Sequence, residues 1–417
     1  MAYLAKAISK RGRIPFLLCY IRAAEKSQEA CREKFRFGAY PLVSNDLAYK
    51  HHEAIPLPHA AQVDWFAWMD FFRTAAAVIV VISHARDIVM ADYSGQLLYA
   101  PVYAATGFGH SGVVIFFVLS GFWISRSVLG RIGTVNFWRG YLIDRLSRLL
   151  IVLVPALLLG GVLDWIGAVE LSLPLYGGAS GSHTITVPVV DQLRPEVLIG
   201  NLTFLQTIAV PTWGSNGPLW SLAYEFWFYI WFPALMLLVS RRHFSLALVS
   251  LAVAWFNPAI AFGFASWLAG FVLLSATGKL PSVPTGKWRA GLVTGAFLAI
   301  LLLSGVRSNG AIDFVLAMAF ASLLYVLRAS QIGFPKLLQP LARYGRESSY
   351  SLYVIHFPVL ALAGSLATGG QRLVPSPLSV AMVVGLSFAA VTTGWIFSQL
   401  TERNTGNARA FLRRKFA

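Results

Sequence analysis

Long apolar segments recur along most of this chain, and they constrain its fold more than any other feature. A helix needs about 20 mostly apolar residues to cross the roughly 30 Å of hydrocarbon in a bilayer. Inside that layer an isolated segment must be helical, because its backbone finds no other hydrogen-bond partners. The segments that approach or reach this length are 70–90, 111–129, 148–168, 217–239, 244–257, 259–277, 289–306, 311–328, 349–367 and 378–400. The sequence predicts an all-α, polytopic membrane bundle of about ten transmembrane helices, in which the short fifth segment could be re-entrant.

The composition agrees with a bilayer as the main solvent. Hydrophobic residues make up 57% of the chain and charged residues 12%, against about 45–50% and about 25% in soluble domains. The net charge of +16 would suggest nucleic acid in a soluble protein. Here the Lys and Arg residues alternate between successive loops, as the positive-inside rule requires. We therefore expect no nucleic-acid partner, and we expect a multi-pass protein of the plasma (inner) membrane with both termini in the cytoplasm.

The chain divides into three parts. Residues 1–65 form a predicted cytoplasmic extension, residues 66–403 the membrane domain, and residues 404–417 a basic cytoplasmic tail. Both cysteines lie in the extension, so neither a disulfide framework nor a metal site is expected. The long connection 169–216 is rich in Gly, Ser, Pro and Thr and falls on the outside, where it is a candidate for contact with an external substrate.

Ionisable residues in the first segment form one stripe. Asp70, Arg73 and His84 share a helical face, since the eleven residues from Arg73 to His84 turn the helix through about 1100° and rise about 16 Å. An imidazole facing the interior of a bundle can act as a general base near neutral pH. The alternative is a structural histidine, satisfied by a neighbour such as Asp87.

The fourth segment carries a second polar stripe. Directly after Trp220 come Ser221, Glu225 and Tyr229, which are spaced four residues apart. Their side chains therefore lie above one another on the helix. Glu225 falls about 12 Å from the outer end, level with His84. Its carboxylate could orient an imidazole or a substrate hydroxyl, or it could make a structural bond to Arg73.

Two further groups complete the candidates. Ser349, Tyr353 and His356 share a face of the ninth segment, where such residues often serve as interhelical hydrogen bonds rather than as a site. At the cytoplasmic helix ends stand Arg126, Arg145 and Arg148. Their guanidinium groups suit phosphate, although arginine is common at such ends for topological reasons.

Five stretches, in this order, resemble the acyltransferase 3 family of membrane O-acyltransferases, which modify bacterial surface and secreted carbohydrates. They are MDFFRTAAAVIVVISH, GVVIFFVLSGFWIS, RLSR, PLWSLAYEFWFYIWFP and SYSLYVIHFP. The similarity extends over residues 65 to 403. It departs from the family at the end, where Asn404 follows Glu402 and Arg403 in place of the frequent proline.

The resemblance implies transfer of an acyl group, most often acetyl, from cytosolic acyl-CoA to a carbohydrate hydroxyl on the other side of the membrane. It makes His84 and Arg73 the essential pair. The coenzyme A phosphates would bind Arg145, Arg148, Arg126 and Arg73. The pantetheine arm would then pass between the first, second and ninth helices, where Ser120 and Gly121 would leave room.

In this scheme His84 is the general base toward the acceptor hydroxyl, and Glu225 fixes its tautomer or holds the sugar. Tyr353 or His356 would donate to the developing oxyanion. Asp70, Trp220 and Ser221 would support the site, and no metal is needed. The alternative function is a transporter or flippase, in which Arg73, His84 and Glu225 relay protons or substrate.

Overall fold

The computed structural model describes residues 59–134, 136–241, 245–278 and 286–416. The predicted extension, apart from its last residues, lies outside this range. Thirteen α-helices connect through turns and short 3₁₀ segments. They are α1 His59–Val89, α2 Ala100–Thr106, α3 Gly109–Leu129, α4 Phe137–Trp165, α5 Pro195–Leu202, α6 Trp220–Arg241, α7 Ser245–Phe256, α8 Pro258–Thr277, α9 Lys287–Val306, α10 Gly310–Ala329, α11 Gln339–Thr368, α12 Pro377–Leu400 and α13 Thr405–Phe416.

The membrane bundle predicted from the apolar segments is confirmed. In the described part of the chain, nine helices are long and apolar enough to cross a bilayer. They are α1, α3, α4, α6 and α8 to α12, and they correspond to nine of the ten predicted segments. The protein is therefore an all-helical, multi-pass membrane protein.

The connections gather at the two ends of the bundle. We call the end that carries residues 90–108, 171–216 and 369–376 the loop face, where the main chain of Leu373 hydrogen-bonds to Val89 and Ala91. The opposite end, with residues 330–338 and 401–416, is the tail face. The nine long helices and the shorter α7 between α6 and α8 run alternately between the two faces, so that α1 begins and α12 ends at the tail face.

The fifth predicted segment forms α7, which has only 12 residues. These rise about 18 Å, less than the hydrocarbon thickness. The helix nevertheless returns the chain toward the loop face, because Asn257 at its end accepts a hydrogen bond from Tyr224 (3.3 Å) and donates to the Thr207 carbonyl (2.9 Å). The path has an even number of passes, which matches the alternation of charge.

Close helix packing depends on glycine at two contacts. At Gly345 of α11 a Cβ atom would lie 2.2 Å from the Asp70 carbonyl oxygen of α1. At Gly121 of α3 it would lie 2.1 Å from the Trp267 carbonyl oxygen of α8, and at Gly270 it would lie 2.2 Å from the Val118 carbonyl oxygen. Only glycine allows the helix backbones to approach so closely.

The second contact corrects the prediction of a passage at Ser120 and Gly121. The space beside Gly121 is filled by the backbone of α8, and the Ser120 hydroxyl accepts a hydrogen bond from the Trp267 indole (3.3 Å). Both residues therefore hold α3 against α8 and leave no room there for a substrate arm. The sequence shows that a small residue is present, but not whether a ligand or another helix fills the space.

The predicted external loop is packed onto the loop face. Asp164 of α4 accepts hydrogen bonds from the main-chain N–H and the hydroxyl of Ser215, both at 2.7 Å. Trp213 donates to the Leu157 carbonyl (2.9 Å), and Asn216 donates to the Val354 carbonyl of α11 (2.8 Å). The loop is thereby fixed to both α4 and α11.

Candidate active site

His84 lies half-buried near the loop-face end of α1, among residues from two other parts of the chain. Its Nδ1 is 3.4 Å from the hydroxyl of Thr184, which belongs to the external loop. On α11, the ring centroid of His356 lies 5.4 Å away, and Phe357 presents its ring at 5.1 Å and nearly perpendicular. The loop and α11 thus enclose the imidazole.

Asp87 makes no hydrogen bond to His84, although its charge lies close enough to act on the imidazole. The Asp87 carboxylate accepts from the Ser182 hydroxyl (2.7 Å) and from the main-chain N–H of His183 (3.0 Å). It is buried, with the Arg372 guanidinium 3.9 Å away. Asp87 therefore fastens the loop segment that carries Thr184.

Arg372 completes this fastening from the connection between α11 and α12. Its side chain is only 7% exposed, donates to the Met90 carbonyl (2.9 Å) and pairs with Asp92 (2.7 Å). That hydrogen bond, with a smaller contribution from His183, lowers the pKa of the Asp92 carboxyl. Sequence reasoning missed this cluster because its members lie nearly 300 positions apart.

Tyr353 and His356 are both close to the site, but their hydrogen-bond donors are in use. The Tyr353 hydroxyl donates to the Pro218 carbonyl (3.0 Å) and lies 2.5 Å from the Ser221 hydroxyl. The Nδ1 of His356 lies 2.7 Å from the Tyr353 carbonyl oxygen. In this structure both donors have protein partners, and donation by either residue to an oxyanion stays a prediction. The Ser221 and Tyr353 pair joins α6 to α11 instead.

A second polar group lies nearer the tail face. Arg73 pairs with Asp70 at 3.0 Å, and Glu225 accepts from the Tyr229 hydroxyl at 2.6 Å. The charges of Arg73 and Arg148 both interact with those of Glu225 and Glu402. We call these residues the charged layer: Asp70, Arg73, Arg148, Glu225, Tyr229 and Glu402.

One member of the charged layer, Arg148, is both exposed and surrounded by charged or polar partners from other parts of the bundle. Arg148 lies in the middle of α4, and its charge partners come from α6 and from the chain after α12. The residue nevertheless retains a large exposed fraction. A guanidinium that is enclosed by helices and still accessible can bind an anion that enters from the tail face.

Glu225 belongs to this charged layer rather than to the surroundings of His84. Its carboxylate accepts a hydrogen bond from Tyr229, and its charge acts on Arg73 of α1 and on Arg148 of α4. Arg73 lies about 16 Å from His84 along α1. Among the described residues no hydrogen bond joins Glu225 to His84, and its role toward the His84 tautomer stays a prediction.

The three arginines predicted at the cytoplasmic helix ends do not form one group. Arg145 donates to the Ser127 hydroxyl (3.4 Å) and its charge interacts with that of Arg148. Arg126 instead places its guanidinium over Phe66 (5.7 Å), and its charge neighbour is Arg328. The structure brings Arg145 and Arg148 together and leaves Arg126 on another side of α3.

Two more residues complete the site, one predicted and one overlooked. Trp220 packs edge-to-face on Tyr224 (5.0 Å) and lies parallel to the His110 ring (6.0 Å), at the loop-face start of α6. Glu402 stands out in the sequence only as part of a terminal motif. Its carboxylate accepts from the main-chain N–H and the hydroxyl of Ser351, both at 3.0 Å, which turns it toward the charged layer.

The multi-pass helical fold encloses polar groups at two depths of the bundle, one near each face. The chain belongs to the acyltransferase 3 family, because residues 66–398 match its acyltransferase domain. The resemblance seen in the five sequence stretches is thereby confirmed.

One curated relative is the acyltransferase MdmB of Streptomyces mycarofaciens. It is 28% identical over 188 residues, which cover 45% of this chain and 41% of that protein. The chain thus spans less than half the length of this relative. No solved structure matches the chain.

Proposed function

We propose that this acyltransferase moves an acyl group, most often acetyl, from cytosolic acyl-CoA to a hydroxyl of a surface or exported carbohydrate. The observation that carries the proposal is the pair of polar groups on one face of α1. Arg73 in the charged layer and His84 near the loop face lie about 16 Å apart along the helix. A donor with a charged head and a long arm can bind the first group and present its thioester to the second.

The donor would enter from the tail face. This face carries most of the described Lys and Arg residues, including Arg413 and Lys415 of α13, so the positive-inside rule places it in the cytoplasm. Arg148 and Arg145, with Arg73 behind them, would hold the phosphates of acyl-CoA, since guanidinium groups bind phosphate through two parallel hydrogen bonds. Arg126 has no part in this proposal.

The acceptor would reach His84 from the loop face, beneath Thr184. Because the Nδ1 atom faces Thr184, Nε2 is the atom free to take a proton. The hydroxyl oxygen attacks the thioester carbonyl carbon as its proton moves to His84, the C–S bond breaks, and the thiolate leaves and is reprotonated. General base catalysis of this kind contributes about 10²–10⁴-fold.

Replacing His84 by Ala tests the proposal. Purified protein in lipid vesicles is given radiolabelled acetyl-CoA, and transfer to the surface polysaccharide of the host cell is measured. His84→Ala should lose transfer at normal expression. The matched control is His183→Ala, which removes an exposed ring and leaves the main-chain N–H that bonds Asp87. Full transfer by His84→Ala would exclude this mechanism.

The same vesicles separate an acyltransferase from a transporter. The proposal requires acyl-CoA on the tail-face side and no proton gradient. A transporter would move its substrate without any acyl donor and would depend on a gradient. Mass spectrometry of the cell-surface carbohydrate, with and without the gene, would identify the acceptor and the acyl group.

A further inference from the structure

Three arginines meet around one carboxylate at the tail face. Asp144 of α4 pairs with Arg131 and Arg413, both at 2.8 Å, and with Arg409 at 3.5 Å. The side chain of Asp144 is only 6% exposed, whereas those of the three arginines are between 37% and 53% exposed. The acid is therefore buried beneath cations that still reach water.

A fourth arginine joins this group through Ser127, at the tail-face end of α3. The Ser127 hydroxyl accepts from Arg131 at 2.8 Å and from Arg145 at 3.4 Å, so the two guanidinium groups lie side by side. We call these residues the outer cluster: Arg131, Asp144, Arg145, Arg409 and Arg413. In the described part of the chain, no second carboxylate pairs with its arginines. Four cations share one anion, and because like charges repel, the excess favours binding of an anion from solution.

The outer cluster lies in line with the charged layer. Asp144 precedes Arg148 by four residues, so the two share a face of α4 and lie about 6 Å apart along it. Because α4 runs from the tail face toward the loop face, Asp144 is the outer of the two. A ligand that enters from the tail face thus meets the outer cluster first, then Arg148 and the charged layer, and His84 last.

We propose that the outer cluster binds the 3′-phosphate of the coenzyme A donor, an inference that rests on the proposed function. Coenzyme A carries its 3′-phosphate and its diphosphate on one ribose, and the pantetheine arm follows the diphosphate. The cationic groups of the protein follow the same order. The 3′-phosphate binds to Arg131, Arg409 and Arg413, and the diphosphate binds to Arg145 and Arg148 one turn further in. Guanidinium groups hold phosphate through two parallel hydrogen bonds.

The proposal gives the basic tail a function in choosing the donor. Arg409 and Arg413 belong to α13, which packs on α4 through Asp144. Their charges lie beside the path to Arg148, so α13 favours donors that carry a phosphate on the ribose. The phosphate of an anionic lipid headgroup has the same chemistry, and the experiment distinguishes the two sources.

Acetyl-dephospho-CoA, which lacks only the 3′-phosphate, is the probe for this contact. Acetyl transfer from acetyl-CoA and from acetyl-dephospho-CoA is measured in vesicles of phosphatidylcholine, which has no net charge. The variant is Arg413→Gln, which removes one charge of the outer cluster. The matched control is Arg414→Gln, because Arg414 is exposed on the same helix and is not among the arginines that pair with Asp144.

We expect Arg413→Gln to raise the KM for acetyl-CoA about tenfold with kcat unchanged, since it loses charge-assisted hydrogen bonds to phosphate. The KM for acetyl-dephospho-CoA should not change, because that donor has no 3′-phosphate to lose a contact. Arg414→Gln should match the wild type with both donors. Equal effects of Arg413→Gln on the two donors would show that Arg413 only holds α13 to α4, and would overturn the proposal. So would equal effects of the two substitutions.

The lipid source is tested by adding phosphatidylglycerol to the vesicles. If the outer cluster binds an anionic headgroup instead, Arg413→Gln changes activity only in these vesicles and to the same extent with both donors. That result would overturn the proposal. An effect that is confined to acetyl-CoA and present in phosphatidylcholine alone supports it.

A measurement on the wild-type protein covers the case in which Arg413→Gln does not fold. Adenosine 3′,5′-bisphosphate should slow tryptic cleavage after Arg409 and Arg413 more strongly than adenosine 5′-monophosphate, which lacks the 3′-phosphate. Equal protection by the two nucleotides, or none by either, would also overturn the proposal. Absence of any transfer from acetyl-CoA by the wild type contradicts the proposed function itself. An active wild type with equal KM values for the two donors contradicts only the role of the outer cluster.

Discussion

At the scale of single residues, the site depends on which acceptors are free and which are committed. From its position in the sequence Asp87 could accept a hydrogen bond from His84, yet its oxygens accept from Ser182 and His183 instead. The loop thereby keeps Thr184 beside the imidazole. Asp87, three positions from His84, thus contributes to the site by holding a loop segment that lies almost 100 residues further along the chain.

Replacing Asp87 by Asn should therefore weaken the loop. The change keeps the shape of the side chain but removes the charge and one acceptor oxygen. With both Asp87 and Arg372 nearly buried, we expect a loss of about 1–3 kcal/mol in the free energy of unfolding. Thermal unfolding in detergent and protease sensitivity at residues 180–184 provide the measurement.

Asp92→Asn is the control for this change. Asp92 also pairs with Arg372, but its side chain is 58% exposed, and exposed pairs contribute little to stability. The Asp92→Asn protein should unfold close to the wild-type temperature. Equal losses of stability in Asp87→Asn and Asp92→Asn would contradict the role given to Asp87.

At the scale of helices, contact between backbones decides where the bundle is closed. Gly121 and Gly270 let α3 and α8 touch, and Gly345 does the same for α11 and α1. A substrate arm therefore cannot pass between α3 and α8 at this level. The exposed guanidinium of Arg148 lies instead among groups of α4, α6 and the chain after α12.

Gly121→Ala should destabilise the protein. The new methyl would lie 2.1 Å from the Trp267 carbonyl oxygen, so α3 and α8 must separate. Overpacking of this kind costs about 1–3 kcal/mol. The change is measured as a lower unfolding temperature of the purified protein.

Gly295→Ala on α9 is the matched helical glycine, because no atom lies within 4 Å of the position that its new methyl group would take. Alanine is the better helix former, so this protein should be as stable as wild type or slightly more so. If both variants behave alike, the backbone contact at Gly121 does not limit stability.

At the scale of the whole molecule, alternating passes give the protein two chemically different faces. The tail face carries α13, whose Arg413 pairs with Asp144 of α4 at 2.8 Å, and Arg131 from the turn before α4 pairs with the same carboxylate at 2.8 Å. The loop face carries the loop that covers His84. Two chemically different faces are what the proposed transfer between a cytosolic donor and an external acceptor requires.

This topology predicts the outcome of labelling from outside the cell. In a background without Cys19 and Cys31, a membrane-impermeant maleimide should label Gln96→Cys on the loop face and not Arg414→Cys on the tail face. Both positions are exposed, so the two differ only in the side of the membrane. Labelling of Arg414→Cys in intact cells, with Gln96→Cys protected, would reverse the orientation of the whole scheme.

The amino-acid sequence alone indicates that the protein lies in a bilayer, where its helices are and in which direction they are expected to run. Apolar length and charge alternation are local and additive, so they predicted nine long helices closely. The same helical periodicity placed Arg73 and His84 on one face of α1. It also placed Ser221 and Tyr353 in polar stripes on α6 and α11, and the structure joins these two stripes through their hydroxyls.

Which partner each polar group bonds to, in contrast, is decided only in the folded chain. The assignment of Asp87 to the loop, of Glu225 to the charged layer and of Gly121 to helix packing depends on neighbours that are distant in sequence. Hydrogen bonds saturate, so an acceptor used by one partner is lost to another. That competition is settled by the folded loop and by α11.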